Sequence, residues 1–287
     1  MKNILFATDF SMNAEKAFEY ALNLARRHGS VITMLHVFDI ATSWDFPDTV
    51  DSQEMEKQEI RESEKKMDQL LHKHTGMDEA MSFNFMVLKN QSVVQGILEG
   101  IEKSKAEMVV IGNKGAGKIK ELLMGSTAKA LLSRSPIPVL AIPENIRHFE
   151  LSRVLFTSDF QKEDIRALQL CIQLLATFKP EVHVVHVNPT FEVGNQELIQ
   201  YFKSQVHDLI DYPFLKFEIL YDDNTAKSLI HFIEQNNIDF LVMLEKSRQG
   251  FLDFLFHPDL VKKMETQSHI PVLSFSEVYI QKPAIKE

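Results

Sequence analysis

The segment VVIGNKG at residues 109–115 decides the fold of this 287-residue chain. Its apolar half predicts a strand buried on both faces, and its two glycines allow a sharp turn that brings the backbone close to a ligand. After nine further residues, GST at 125–127 predicts the start of a helix, with Ser126 or Thr127 as its cap. Because the first N–H groups of a helix attract anions, the strand, loop and helix start together predict a phosphate site.

Three sequence patterns overlap on this loop. The phosphate-loop pattern G-x-x-x-x-G-K-[ST] fails at Ile119, which lacks the hydroxyl that would ligate Mg²⁺. The dinucleotide fingerprint G-x-G-x-x-G, started at Gly115, fails at Lys120. The pattern G-x2-G-x9-G-[ST] is matched in full by Gly112, Gly115, Gly125 and Ser126. We favour this third pattern over the alternative in which the glycines only end a strand and begin a helix.

The chain contains two copies of one pattern. NILFATDF at 3–10 returns as RVLFTSDF at 153–160, and IPVL at 137–140 returns at 270–273. Such internal repetition indicates that both halves adopt the same fold. The length of the chain is also about twice that of a typical domain.

Buried strands alternate with amphipathic helices in each copy, which predicts a doubly wound parallel sheet of five strands. We predict two domains, 1–146 and 147–287. The first copy is longer between its second and third strands, where the charged segment 52–73 is predicted to be a solvated lid or edge helix. Ligands of such sheets bind at the carboxyl ends of the strands, where Gly112 and Asp9 are expected.

The composition is that of a soluble globular protein, with 45% hydrophobic and 25% charged residues. The first residues lead directly into a predicted strand without the zones of a secretion signal, so we expect a cytoplasmic protein that does not enter a membrane. A formal net charge of −9 disfavours nucleic acid as a partner. The single cysteine, Cys171, lies among apolar residues and is predicted to be a packed core thiol.

The G-x2-G-x9-G-[ST] signature and the tandem repeat resemble the universal stress protein family over essentially the whole chain. The resemblance implies two tandem doubly wound five-stranded parallel-sheet domains of the adenine nucleotide alpha hydrolase-like fold. It also implies that the first copy binds ATP with Mg²⁺. Asp9 and Val37 map to the family's adenosine contacts, although Asp9 could instead cap the following helix. The phosphate contacts map to Gly112, Asn113, Gly115, Gly125, Ser126 and Thr127.

The second copy departs from the signature. Leu244–Ser247 replaces Gly112–Gly115, and His257-Pro258 replaces Gly125-Ser126. The side chain of Leu244 fills the turn, the charge of Glu245 repels an anion, and Pro258 lacks a backbone N–H donor. All three differences oppose phosphate binding. The second copy is therefore predicted not to bind nucleotide, with Asp159 kept as a helix cap.

We predict a stress-response sensor or regulator that binds an adenine nucleotide, rather than a dedicated enzyme. His72 and His74 are interpreted as surface helix residues, and no histidine spacing indicates a metal site. Bound nucleotide is expected to order segments 113–124 and 39–82. The alternatives are a slow ATPase of the same fold, and a nucleotide-free scaffold that acts through protein contacts or an apolar ligand in the second domain.

The partners that we expect, besides the nucleotide, are proteins that the sequence does not identify. The last strand of each copy, 139–142 and 272–275, resembles the strand through which family members dimerise. This resemblance implies a pseudo-dimer within one chain, and a homodimer is an open alternative.

Overall fold

The computed structural model describes residues 1–39, 50–75, 81–114, 124–146, 149–188, 195–246 and 270–281. The elements of the first half are β1 (Asn3–Ala7), α1 (Met12–His28), β2 (Val31–Phe38), α2 (Val50–Thr75), β3 (Phe83–Lys89), α3 (Val93–Ser104), β4 (Met108–Gly112), α4 (Ser126–Arg134) and β5 (Val139–Ile142). Those of the second half are β6 (Arg153–Thr157), α5 (Lys162–Leu175), β7 (Glu181–Asn188), α6 (Asn195–Leu209), β8 (Leu215–Tyr221), α7 (Thr225–Gln235), β9 (Phe240–Glu245), β10 (Val272–Ser276) and α8 (Glu277–Ile280).

All ten of these strands form one sheet in the order β3-β2-β1-β4-β5-β10-β9-β6-β7-β8. Each half contributes five parallel strands, and the two halves meet where β5 and β10 pair antiparallel, with Leu140 opposite Leu273. The predicted doubly wound fold is confirmed, and the two predicted last strands pair with each other. The domain boundary between residues 146 and 147 stays a prediction.

Helices cover both faces of the sheet. Ile4 and Phe6 of β1 pack against α1 on one face, whereas Leu5 packs on the opposite face with α3 and α4. All three side chains are fully buried, as expected for a strand covered on both sides. Cys171 is also fully buried, and burial raises the pKa of its thiol, so the prediction of a core thiol is confirmed. No helix within the described stretches combines the length and apolarity needed to cross a membrane.

Helix α2 is an edge helix, but it is not simply solvated. Ser63 and Met67 are fully buried, and Leu70 and Leu71 pack against the same apolar cluster as α1. Met67, Leu70 and Leu71 fall on one face because they recur at helical spacing. None of the described α2 side chains lines the cavity at the carboxyl ends of the strands. Of the two predicted alternatives, the structure therefore favours the edge helix.

His74 near the end of α2 is not a surface residue, contrary to the prediction. Only 13% of its side chain is exposed, and its Nε2 lies 2.8 Å from Oε1 of Glu15 in α1. The Nζ of Lys73 lies 2.6 Å from the same oxygen. These contacts tie α2 to α1. His72, in contrast, is 71% exposed, as predicted.

The substitution Glu15→Gln should destabilise the protein in a pH-dependent way. The hydrogen bond from Lys73, with a smaller contribution from His74, outweighs burial and lowers the pKa of Glu15 from its ordinary value of 4.5. A lowered folded-state pKa means that the stabilisation is present above about pH 4.5 and is lost as the pH falls through the folded value. We expect the free energy of unfolding to drop by about 0.5–1 kcal/mol at pH 7, and by much less at pH 3.

Urea unfolding at the two pH values measures this difference. Glu64→Gln, at an exposed position of α2, is the matched control and should change little at either pH. An equal loss for Glu15→Gln at both pH values would contradict the electrostatic explanation.

Candidate functional site

A cavity of about 980 Å³ opens at the carboxyl ends of β1, β2 and β4, beside the starts of α1, α3 and α4. This is the point at which the strand order reverses, where doubly wound proteins bind ligands. The predicted site residues that line the cavity are Asp9, Val37, Gly112, Asn113, Gly125, Ser126 and Thr127. The eighth, Gly115, lies outside the described residues. The structure thus brings seven predicted residues to one cavity, while their contacts with a ligand stay a prediction.

The loop between β1 and α1 places Asp9 at the cavity. Ser11 is the N-cap of α1, and its side chain accepts a hydrogen bond from the N–H of Ala14 at 3.2 Å. Oδ1 of Asp9 accepts from the N–H of Ser11 at 3.0 Å, which tightens the turn. The alternative in which Asp9 caps α1 is therefore wrong. Its carboxylate belongs to an exposed residue at the cavity wall.

The same loop holds a non-glycine residue in the left-handed region. Phe10 has a φ of 61°, and its ring centroid lies 4.6 Å from that of His36. The Nδ1 of His36 lies 2.8 Å from the carbonyl oxygen of Thr8. Because a carbonyl oxygen only accepts, Nδ1 carries the hydrogen and donates it. Phe160, with a φ of 58°, and His186 repeat the arrangement in the second half. Because both halves have it, this aromatic pair is a part of the scaffold that shapes the turn.

The end of β4 is fixed by a buried side chain that sequence reasoning missed. Asn13 in α1 is 4% exposed, and its Nδ2 donates to Oδ1 of Asn113 at 3.1 Å and to the Lys114 carbonyl at 2.7 Å. A Cβ added to Gly112 would lie 2.8 Å from that Nδ2. Gly112 does not have a positive φ. This glycine is therefore required by the close approach of α1, and not by the backbone turn that the sequence predicted.

The start of α4 offers donors to the cavity. Its N-cap is Gly125, which has no side chain to cap the helix, and Lys129 makes the first intrahelical bond to the Gly125 carbonyl at 3.0 Å. Within the described part of the chain, the N–H groups of Ser126, Thr127 and Ala128 donate to no acceptor. The prediction that Ser126 or Thr127 caps this helix is wrong. Instead, their hydroxyls and N–H groups stay available for an anion at the positive end of the helix.

A hydrogen bond joins the two sides of the loop that leads into α4. The N–H of Gly125 donates to the carbonyl of Asn113 at 2.6 Å, and the N–H of Asn113 donates to the carbonyl of Ile142 in β5 at 2.8 Å. The helix start is thereby held against the ends of β4 and β5. A ligand would meet donors that are already positioned.

In the second half, the residue that follows β9, Lys246, takes part in ion pairs. Nζ of Lys246 lies 3.1 Å from Oδ2 of Asp159 and 3.3 Å from Oδ1 of Asp164. The N-cap of α5 is Gln161, so the prediction that Asp159 caps this helix is wrong. Burial lowers the pKa of Lys246, but the two carboxylates outweigh it and raise the pKa overall. His257-Pro258 lies outside the described residues.

Comparison with known proteins identifies the family. The universal stress protein family matches residues 1–143. The chain belongs to the universal stress protein family. A relative that spans both halves is universal stress protein Slr1230 of Synechocystis, which is 22% identical over 96% of this chain and 100% of its own length. Universal stress protein MJ0531 of Methanocaldococcus jannaschii is 26% identical over 49% of this chain and 81% of its own length.

Solved structures support the same fold. A universal stress protein from Archaeoglobus fulgidus superposes with a TM-score of 0.69 at 20% identity, over 96% of this chain and 98% of its own. A protein described as a putative universal stress protein from Pseudomonas aeruginosa gives a TM-score of 0.60 at 16% identity, over 98% of this chain and 95% of its own. At these identities the likeness shows the fold alone. Together with the full-length relative, it confirms the predicted tandem architecture.

Proposed function

We propose that this universal stress protein binds ATP with Mg²⁺ in the cavity of its first half and acts as a nucleotide-dependent regulator in stress response. The observation that carries the proposal is the uncapped start of α4, whose first three N–H groups find no acceptor among the described residues, at the wall of a cavity of about 980 Å³. A nucleotide fits this combination because its phosphates need donors and its base needs an enclosed apolar surface.

The two ends of the cavity differ in chemistry, as a nucleotide requires. Val37 of β2 and Val93 and Ile97 of α3 supply apolar surface for a base. The Asp9 carboxylate can accept hydrogen bonds from a ribose hydroxyl or an adenine amine. The hydroxyls and N–H groups at the start of α4 would hold the phosphates. This division supports adenosine recognition at one end and phosphate recognition at the other.

The charges of the cavity wall support a requirement for a divalent cation. Among the described lining residues, Lys114 is the one cation, whereas Asp9 and Glu144 carry carboxylates. A triphosphate alone would therefore meet a wall whose described charges do not neutralise it. Carboxylate and phosphate oxygens are the ligands that Mg²⁺ prefers, so the nucleotide should enter as its Mg²⁺ complex.

Regulation requires that bound nucleotide changes the protein. We propose that the change involves the loop between β4 and α4, since its two ends carry the hydrogen bond between Asn113 and Gly125. Hydrogen exchange of the peptides that cover residues 113–124 should slow at saturating MgATP, because ligand contacts there suppress local opening. Unchanged exchange would contradict this mechanism while leaving binding intact. No turnover is required for such a role.

Calorimetric titration of the full chain with MgATP tests the proposed binding. We expect one site per chain, because the second half carries an internal ion pair where the first half has its cavity. Removal of Mg²⁺ should weaken the binding, in line with the charges of the wall. Two equivalent sites per chain, or no binding, would contradict the proposal. Phosphate release measured in the same samples would reveal the alternative of a slow ATPase.

A further inference from the structure

The two halves carry a lysine at the same structural position. Phe6 of β1 lies opposite Val110 of β4, and Phe156 of β6 lies opposite Val242 of β9. Counting four residues onward from each valine reaches Lys114 in the first half and Lys246 in the second. The sheet register therefore makes these lysines equivalent.

The residues at the corresponding position of the first helix in each half differ. Ser11 and Gln161 are the N-caps of α1 and α5, so Ala14 and Asp164 both occupy the third helical position. Ala14 lines the cavity of the first half with a methyl group. Asp164 presents a carboxylate that lies 3.3 Å from the Lys246 ammonium. Alanine against aspartate is thus one of the differences between the two halves at this point.

Asp164 is well suited to hold a cation in place. Its side chain is 2% exposed, and Oδ2 accepts hydrogen bonds from the Ser158 hydroxyl at 2.9 Å and from the N–H groups of Asp159 and Gln161 at 2.8 and 3.1 Å. These bonds fix the carboxylate and leave Oδ1 for Lys246. Asp159 adds a second carboxylate, so the lysine is enclosed by two opposite charges.

Lys114 is in a different situation. It is half-buried at the cavity wall and makes no ion pair with the described residues. Its backbone is held by the bond from Asn13 to its carbonyl, which keeps the residue at this wall. A half-buried ammonium that makes no ion pair among the described residues favours an anionic ligand.

We propose that the third position of the first helix decides which half accepts a phosphate-bearing ligand. Alanine at position 14 leaves Lys114 available to the phosphates of a nucleotide, and Asp164 makes Lys246 an internal counter-ion that closes the second half. The inference rests on the proposed nucleotide site, and it adds Ala14 and Lys114 to that site as specificity-determining and ligand-binding residues.

The pair Ala14→Asp and Ala14→Asn tests the inference, since the two side chains have nearly the same volume and differ in charge. We expect Ala14→Asp to weaken the binding of MgATP about tenfold more than Ala14→Asn does. An acidic residue in the first turn suits the helix dipole, so Ala14→Asp should melt no lower than Ala14→Asn. Equal weakening by both would show a steric effect and would overturn the inference.

A second measurement does not depend on nucleotide. Acetylation requires the neutral amine, so a lysine held between carboxylates should react slowly. In the free protein, mass spectrometry should show Lys246 acetylated several-fold more slowly than Lys114. Asp164→Asn should speed the reaction of Lys246, and Ala14→Asp should slow that of Lys114.

Equal rates for both lysines in the unmodified chain would overturn the inference, whatever the titration with MgATP shows. Failure of MgATP to bind, with the predicted acetylation rates, would count against the proposed function alone.

Discussion

The substitution Ser126→Pro should leave the fold intact and weaken the binding of MgATP by roughly 10- to 100-fold. Ser126 is the first residue of α4, where proline is well tolerated because its φ fits and no intrahelical bond is lost. The preceding residue, Gly125, has a φ of −67° and a ψ of 155°, which is the extended backbone that a following proline requires. The substitution therefore removes one proposed phosphate donor with little other effect. A hydrogen bond to a charged group is worth about 1.5–3 kcal/mol, which sets the expected change in affinity.

The matched control is Ser126→Ala, which removes the hydroxyl and keeps the N–H. We expect this control to bind MgATP more tightly than Ser126→Pro, and thermal melting should show both variants folded. Calorimetric titration of the two variants separates the backbone donor from the side chain. An affinity for Ser126→Pro within twofold of that for Ser126→Ala would show that the backbone donor is not used. The second half has Pro258 at the corresponding sequence position, so the variant also imitates the natural difference between the halves.

Much of the fold could be predicted because its signals are local and repeated. The apolar runs that became β4 and β5 stand between clear turn signals, and the helix start predicted at 125–127 is the start of α4 in the structure. The repeat then extended each assignment to the other half. Helix α2 was less well predicted, because a charged helix with few apolar residues gives no indication of whether its narrow face is buried. Met67 and Ser63 show that it is.

The site was predictable where it depends on backbone and glycine pattern, and less so where it depends on tertiary contacts. The strand end and the helix start meet at the cavity as the spacing indicated. Asn13 was missed because its partners, Asn113 and Lys114, lie 100 residues away in sequence. The bond of Lys246 to Asp159 spans 87 residues, so no local pattern could signal it. Asp9 and Ser11 are both good capping residues, and only the observed hydrogen bonds distinguish between them.

The substitution Gly112→Ala should lower the free energy of unfolding by about 2–3 kcal/mol, which is large for the addition of one methyl group. Its Cβ would lie 2.8 Å from Nδ2 and 3.2 Å from the backbone carbonyl carbon of Asn13. The amide of Asn13 is buried and donates two hydrogen bonds to the loop after β4. It therefore cannot move aside without loss of both. Overpacking of a buried site costs about 1–3 kcal/mol, and a buried donor left without its acceptor costs a similar amount. Urea unfolding measures the total.

A double-mutant cycle assigns this cost to Asn13. Asn13→Ala alone should destabilise the protein by about 1–2 kcal/mol, because the carbonyl of Lys114 and the side chain of Asn113 lose a donor. In that background the alanine methyl at position 112 no longer meets the Asn13 amide, so the further cost of Gly112→Ala should fall below about 1 kcal/mol. The cycle should therefore give a coupling energy of about 1–2 kcal/mol between the two positions. Additive costs would mean that another contact at the end of β4 excludes the methyl group. Coupling of the expected size would establish that Gly112 is required, in this chain, for the packing of α1 against the strand end.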